Sequence, residues 1–314
     1  MPEPTDPISQ TLPSPKGRFI SVGHSAWDRT YRVKDLPAPP SKVRALEHIE
    51  NGGGTAANAA ASIARLGGDV ELWSRVGDDR FGVQVIEELQ NIGVDIRAVM
   101  RHAGSRTSTS VVIVDERGER LVISERDHAM PVEPDWLPLD HIDAHSFVLS
   151  DLTWREGTIA AFQCARKVGA RTLVDLDIAG GLPSDEILKL TDTAVASKSA
   201  LEEFFPAASI EEQLSALLAK GPRHAGVTYG EKGYHWRTSA GSSGSLPAFK
   251  VEAVDTTGAG DTFHGALAFA LACGYDDEEA ARFASATAAL KCRRLGARSG
   301  LPSLDEVMDF LRSS

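Results

Sequence analysis

Polar and apolar positions along this chain follow two alternating rhythms. Short apolar runs at 18–23, 70–76, 146–149, 171–176 and 225–228 read as strands. Between them apolar residues fall at helical spacing over 55–66, closed by Gly67-Gly68, and over about 80–92, closed by Gly93. Further helical stretches lie near 154–168 and 210–220. Such strand–helix alternation predicts an α/β fold, a doubly wound and mainly parallel sheet covered by helices on both faces. Two stretches break the rhythm. Residues 31–50 and 108–124 alternate polar with apolar positions, and the second contains the hairpin loop Asp115-Glu116-Arg117-Gly118-Glu119. They predict a small antiparallel β lid over one edge of the main sheet. A further strand is expected at 248–254, a flexible surface loop at 241–245, and a disordered tail over the Pro-, Ser- and Thr-rich residues 1–16. One domain then runs over 17–314.

Composition narrows the picture. A chain of 314 residues, 42% hydrophobic and 25% charged, suits one large soluble domain. The 33 Lys and Arg against 44 Asp and Glu give a net charge of −11, which argues against nucleic acid or an anionic membrane as partner. Three cysteines, Cys164, Cys273 and Cys292, form no CxxC pair. A disulfide framework or zinc site is not expected, and a reducing cytoplasm is. The apolar run 265–272 is too short to span a bilayer.

The chemistry concentrates in Asp255-Thr256-Thr257-Gly258-Ala259-Gly260-Asp261, set before a long apolar helix pattern. A glycine-rich turn opening a helix aims backbone N–H groups, and the positive end of the dipole, at one point. That point accepts a phosphate, and glycines let the backbone come close. Asp261 places a carboxylate at the mouth of this anion hole, which suits proton abstraction from an attacking hydroxyl. The plain alternative is an acid that only complements the helix dipole. No Gly-Lys-Ser/Thr follows the glycines, so this is not a Walker A loop.

The seven-residue string resembles the C-terminal signature of the ribokinase (PfkB) family of carbohydrate kinases, and other strings match that family in the same order. Gly52-Gly53-Gly54-Thr55-Ala56-Ala57-Asn58 is similar to its diglycine–Asn motif, Gly77-Asp78-Asp79-Arg80-Phe81-Gly82 to a second string, and Thr228-Tyr229-Gly230-Glu231-Lys232-Gly233 to its Thr-x-Gly-x-x-Gly turn. Within the family, sulfofructose kinases and then ketohexokinases are most alike. The resemblance implies a ribokinase-like fold, ATP and Mg2+ as cofactors, and phosphate transfer to a primary hydroxyl of a ketose or related sugar. It implies Asp261 as general base, with the amides of Gly258, Ala259 and Gly260 as anion hole and Arg120 as a lid clamp on the phosphate. Asp28, Gly53, Gly54 and Asn58 would hold the sugar. Thr228, Gly230, Gly233, Ala289 and Cys292 would line the nucleotide. Asp255 and Thr257 would offer oxygens to a monovalent cation such as K+. Asp79 reads as a helix cap, and Arg120 equally as a solvated strand residue.

Two departures stand out. The family's Asn-x-x-Glu string, which helps organise magnesium, is replaced by Ser197-Lys198-Ser199-Ala200, and Thr153 stands where a sulfofructose kinase has an arginine. A nucleoside kinase and a non-catalytic sugar or nucleotide sensor are the rival readings, and the first is disfavoured by a lid poor in aromatic residues. An NAD-linked oxidoreductase is excluded more firmly, since Gly23-His24-Ser25-Ala26 is no Gly-x-Gly-x-x-Gly. The lid's open edge predicts a homodimer.

Overall fold

The computed structural model describes residues 14–314; the tail expected over 1–16 lies, as far as residue 13, outside the described residues. The strands are β1 (Phe19–Gly23), β2 (Ala26–Arg32), β3 (Glu47–Gly53), β4 (Val70–Gly77), β5 (Val99–His102), β6 (Ser108–Val114), β7 (Arg120–Glu125), β8 (Phe147–Ser150), β9 (Arg171–Leu176), β10 (Thr193–Ser197), β11 (His224–Thr228), β12 (Tyr234–Thr238) and β13 (Ser243–Leu246). The helices are α1 (Thr55–Arg65), α2 (Arg80–Ile92), α3 (Arg155–Val168), α4 (Asp185–Leu190), α5 (Lys198–Phe204), α6 (Ile210–Leu218), α7 (Ala259–Cys273), α8 (Asp277–Lys291) and α9 (Leu304–Arg312). Among the described residues a nine-stranded sheet runs β13-β12-β11-β10-β9-β8-β1-β4-β5, and a four-stranded sheet runs β3-β2-β6-β7. The large sheet is parallel from β5 to β11, with β12 and β13 added antiparallel at one edge.

The central strand shows why the sequence builds two layers of helices. All five residues of β1 are buried. Phe19 points into a cluster shared with α1, α7 and α8, stacking on Phe269 with ring centroids 6.1 Å apart. Ile20 and Val22 point into the opposite cluster with Phe162 of α3. A strand buried on both faces is the mark of a doubly wound sheet. Helix α7 is apolar almost all round, and it is correspondingly sandwiched between the sheet, α1 and α8. No helix among the described residues is long and apolar enough to cross a membrane.

Three expectations need correction. The lid begins earlier than residue 31: β2 starts at Ala26, two residues after β1, and 33–46 is a connecting loop. Its pairing with β6 is parallel, while β2–β3 and β6–β7 are antiparallel. Residues 248–254 form no strand. Pro247 removes a ladder donor after β13, and Val254 N and Asp255 N turn instead to the Cys292 carbonyl at 2.8 and 3.1 Å. The expected loop at 241–245 contributes instead to edge strand β13, where Gly244 leaves room for the Trp236 indole; a Cβ there would meet it at 2.2 Å. Asp79 is the cap it was expected to be, accepting from Gly82 N at 2.8 Å, and it also accepts from Thr107 N and Oγ1, which ties α2 to the root of the lid.

Candidate active site

The signature residues converge beyond the carboxyl ends of the central strands, under the lid. At the 255–261 turn Gly258 takes φ +75°, the left-handed conformation that glycine adopts without penalty, and α7 begins at Ala259. A Cβ on Gly258 would lie 2.9 Å from the Ala297 side chain, whereas Gly260 has no protein atom within 4 Å of its Cβ position and faces open space. The Ala259 amide bonds within the turn to the Thr256 carbonyl at 3.2 Å. That removes one of the donors expected for an anion and leaves the work to its neighbours in the first turn.

Asp261 is joined to the N-terminal half of the chain by one short link. Asn58 Nδ2 donates to Asp261 Oδ2 at 2.7 Å, while Asn58 Oδ1 accepts from Arg298 Nε at 2.9 Å. Arg298, wholly buried, extends the network: it donates to the Gly53 carbonyl at 2.6 Å and to Glu88 Oε2 at 3.0 Å. Glu88 in turn accepts from Gly52 N at 2.6 Å. The amide of Asn58 thus has a single orientation that satisfies both neighbours. Asp28, carried on β2, packs on Gly53 so closely that a Cβ there would lie 2.0 Å from Oδ2, and its Oδ1 accepts from Ser110 at 2.6 Å. Gly54, at φ +92°, brings the start of α1 against His24 and Ser25.

Charge at the site is unevenly compensated. Burial, reinforced by the negative charge of Asp175 and opposed by the Asn58 hydrogen bond, pushes the Asp261 carboxyl up to about 7. Burial also raises Asp28 and Asp175 above the ordinary carboxylate range. His264 Nδ1 lies 3.0 Å from Asp175 Oδ2, an ion-pair contact without good hydrogen-bond alignment, and Nε2 is buried with no partner. Burial lowers the His264 pKa, but Asp175 and its neighbours raise it further, to a net value above that of free histidine. A carboxyl poised near neutrality beside an anion-binding turn can take a proton from a hydroxyl.

The residues expected around a nucleotide lie on two other elements. Thr228 ends β11, and Gly230 and Gly233 shape the turn after it, with φ of +53° and +87°. Gly233 is required by packing, since a Cβ would meet the Leu246 carbonyl at 1.9 Å. Ala289 lies in the last turn of α8 and Cys292 just beyond it, the latter's carbonyl anchoring the start of the 255–261 turn. No hydrogen bond among the described residues links Thr228, Gly230, Gly233 or Ala289 to the Asn58–Asp261 network. Arg120 does reach the turn: Nη1 donates to Thr256 Oγ1 at 2.6 Å, and that hydroxyl faces the Gly118 carbonyl at 3.4 Å. The lid hairpin is therefore latched onto the anion turn.

Several supporting residues carried no sequence signal for the roles they take here. Arg298 and Glu88 are distant in sequence from the residues they orient. Asp151, at the end of β8, accepts from His24 N and Ala56 N through Oδ2, at 2.8 and 2.9 Å, and from Thr153 N and Oγ1 through Oδ1, at 2.9 and 2.7 Å. It pins the root of the lid to the start of α1. Its position after an apolar run was the only clue, through the rule that ligands gather at strand carboxyl ends.

The doubly wound sheet, the lid and a buried carboxyl at the mouth of a glycine turn suit phosphate transfer to a small hydroxyl compound. The profile of pfkB family carbohydrate kinases matches residues 17–304, and the chain belongs to this family. It is 30% identical over 94% of its length to an ATP-dependent ribose-1-phosphate kinase of Halopiger xanaduensis, covering 98% of that protein. It is 34% identical over 92% of its length to a ribokinase of Bacillus subtilis (98% covered), and 30% identical over 94% to a fructokinase of Solanum tuberosum (96% covered). Among solved structures, a ribokinase of Arabidopsis thaliana complexed with ribose and ATP superposes with a TM-score of 0.81 at 25% identity, over 96% of this chain and all of that one. The fold is ribokinase-like, and the protein is an ATP-binding carbohydrate kinase.

Proposed function

We propose that the chain transfers the γ-phosphate of ATP to a primary hydroxyl of a furanose-form sugar, with a ketohexose such as fructose as acceptor. The observation that carries this reading is the Asn58–Asp261 hydrogen bond, which joins a sugar-facing amide to a base at the mouth of the anion turn. In this reading Asp28 and Asn58, with the Gly53-Gly54 backbone, hold the sugar. Asp261 accepts the hydroxyl proton as its oxygen attacks phosphorus and the bond to the β-phosphate oxygen breaks. First-turn amides of α7 and Arg120 steady the transferring phosphoryl, and most of the acceleration comes from positioning and preorganised charge. Thr228, Gly230, Gly233, Ala289 and Cys292 line the nucleotide.

Magnesium, when bound on the ATP phosphates, neutralises their charge. The first glutamate of α5, Glu202, is paired with Lys198 at 2.7 Å, which supports ligation by phosphate oxygens and water rather than by a protein carboxylate there. A sulfonated sugar is disfavoured, because Thr153 is uncharged and both its amide and its hydroxyl are engaged by Asp151.

Ribose or a ribose phosphate is the second reading, favoured by the names of the ribokinase and ribose-1-phosphate kinase relatives. ADP release with Mg2+ and ATP against fructose, tagatose, ribose, ribose 1-phosphate and adenosine tests both. Turnover of fructose that is lost in Asp261→Ala supports the first reading; turnover of ribose or its phosphate alone replaces it. Turnover of adenosine alone would make the protein a nucleoside kinase, and ATP binding without any turnover would make it a sensor.

The same reading includes a homodimer through the lid. β7 is a sheet edge, fully exposed along its length, and carries Leu121, Val122 and Ile123 outward. A strictly monomeric species in sedimentation at micromolar concentration would overturn that part.

A further inference from the structure

The resemblance to ribokinases led us to expect oxygens from Asp255 and Thr257 around a bound monovalent cation, and the structure fills that place differently. Asp255 is wholly buried, and each polar group of its acceptor set already has a protein donor. Oδ1 accepts from Thr257 N and Oδ2 from Gly296 N, both at 2.8 Å. Its main-chain carbonyl accepts from Lys291 Nζ at 2.8 Å. Lys291, the last residue of α8, has no exposed surface, and this is its side chain's one hydrogen bond among the described residues. The Thr257 hydroxyl is the only side-chain oxygen of these two residues left buried without a partner.

A buried carboxylate needs a compensating positive charge, and a buried ammonium needs a negative one. Here the ammonium sits 2.8 Å from the main-chain carbonyl of the residue that carries the carboxylate. A metal ion approaching the Asp255 carbonyl would meet an ammonium already 2.8 Å from that oxygen, at like-charge repulsion undiluted by water. The oxygen cage expected from the sequence therefore does not fit a potassium ion in this chain.

We propose that Lys291 is the built-in counter-cation of the phosphate-binding turn, so that this kinase works without any monovalent metal. The ammonium holds the Asp255 end of the 255–261 turn and offsets the charge of Asp255 beneath the anion hole. Lys291 is a positioning residue, acting through the turn and not on the substrate. The inference rests on the kinase reading and adds to it a cation independence that the resemblance does not imply.

The test compares tetramethylammonium, sodium and potassium at equal ionic strength, reading both kcat for the accepted sugar and melting temperature. For the wild type, kcat should agree within about twofold across the three salts, since screening is held constant. Melting temperature should agree as well. Lys291→Ala removes the charge and opens a space; Lys291→Met removes the charge and keeps the space filled. Both should lose about tenfold or more of kcat in tetramethylammonium. Potassium should restore kcat and melting temperature in the alanine variant and not in the methionine variant. A purely structural lysine would show no such ion-specific rescue.

Activation of the wild type by potassium of about tenfold or more over tetramethylammonium would overturn the proposal. So would full kcat in both variants, or a loss in the alanine variant that potassium does not reverse while circular dichroism shows the fold intact. If neither variant folds, the wild-type salt series decides alone. Failure of the substrate reading is separable: no turnover of any sugar, with melting temperature still independent of the cation, refutes the former and supports the latter.

Discussion

Asn58 Nδ2 lies 2.7 Å from Asp261 Oδ2, joining residues 203 positions apart through a bond that favours the charged form of the acid. Burial and Asp175 work in the other direction and win, leaving the carboxyl near 7. A base must be deprotonated to act, so kcat/KM should rise with pH through an apparent pKa of about 7 and level off above it. Asn58→Ala removes the side-chain donor that favours the charged form. Its profile should shift to higher pH by about one unit. A pH–rate series on both proteins checks this; a wild-type profile flat from pH 5.5 to 8.5 would count against Asp261 as the base.

The same buried charge works against stability. A carboxyl whose folded pKa is raised binds protons more tightly in the folded state, so its contribution to stability falls as pH rises from near 4 through about 7. Asp261→Asn keeps an oxygen for the Asn58 donor and removes the charge. It should lower kcat about 10²–10⁴-fold yet raise the melting temperature at pH 8. The gain should vanish below pH 4, where the wild-type acid is protonated in both states. Calorimetry at the two pH values tests it, and a lower melting temperature for the variant at pH 8 would contradict the argument.

Arg298 holds three acceptors at once, the Asn58 amide oxygen, the Gly53 carbonyl and Glu88. Arg298→Leu takes a donor from each, and leaves the Glu88 carboxylate with the Gly52 amide but no counter-charge, so it should destabilise by about 3–5 kcal/mol. Arg298→Lys cannot reproduce the planar fork and should recover only part of that. In the lysine variant sugar KM should rise more than ATP KM, because the freed groups border the Gly53–Asn58 stretch. Equal changes in the two constants would place Arg298 outside the sugar side.

Sequence and structure agree where periodicity is strong and part where a residue's meaning depends on a distant one. β1, β4, α1 and α7 were legible because burial on two faces, or all round, leaves a dense run of apolar and small residues, and α2 because one buried stripe repeats at helical spacing. β2 was not. Its run Ala26-Trp27-Asp28-Arg29-Thr30 mixes polar and apolar residues, and Asp28 is a poor strand former. The 255–261 turn was legible because glycines and an acid are local signals. The fate of the Asp255 carbonyl was not, since Lys291 reads as an ordinary solvated end of a helix until its side chain is seen buried. Arg298 and Glu88 were silent for the same reason.

Gly53 and Asp28 occupy one small volume. The Cβ of Gly53→Ala would lie 2.0 Å from the Asp28 carboxylate, which is held on its far side by Ser110 at 2.6 Å and cannot withdraw freely. The variant should raise sugar KM about tenfold or more by displacing Asp28, with ATP KM nearly unchanged. Asp28→Asn tests the charge without the clash, and should also raise sugar KM because an amide accepts fewer hydroxyls. Steady-state kinetics on the two variants would sink the assignment if sugar KM stayed at the wild-type value in both.

Arg120 stands on an exposed strand and touches the anion turn only through Thr256. An exposed side chain with one neutral hydrogen bond contributes little to stability, so Arg120→Ala should leave the unfolding free energy within about 0.5 kcal/mol of wild type. Its effect belongs to the transition state, where the guanidinium would swing from Thr256 onto the transferring phosphoryl. kcat should fall about 10–100-fold, with both KM values little changed. Thr256→Val separates latch from clamp. It removes the ground-state partner and leaves the guanidinium free to move, so its kcat should drop far less than that of Arg120→Ala. Equal losses in the two variants would mean that Arg120 serves to dock the lid, and that phosphate stabilisation falls to the α7 amides alone.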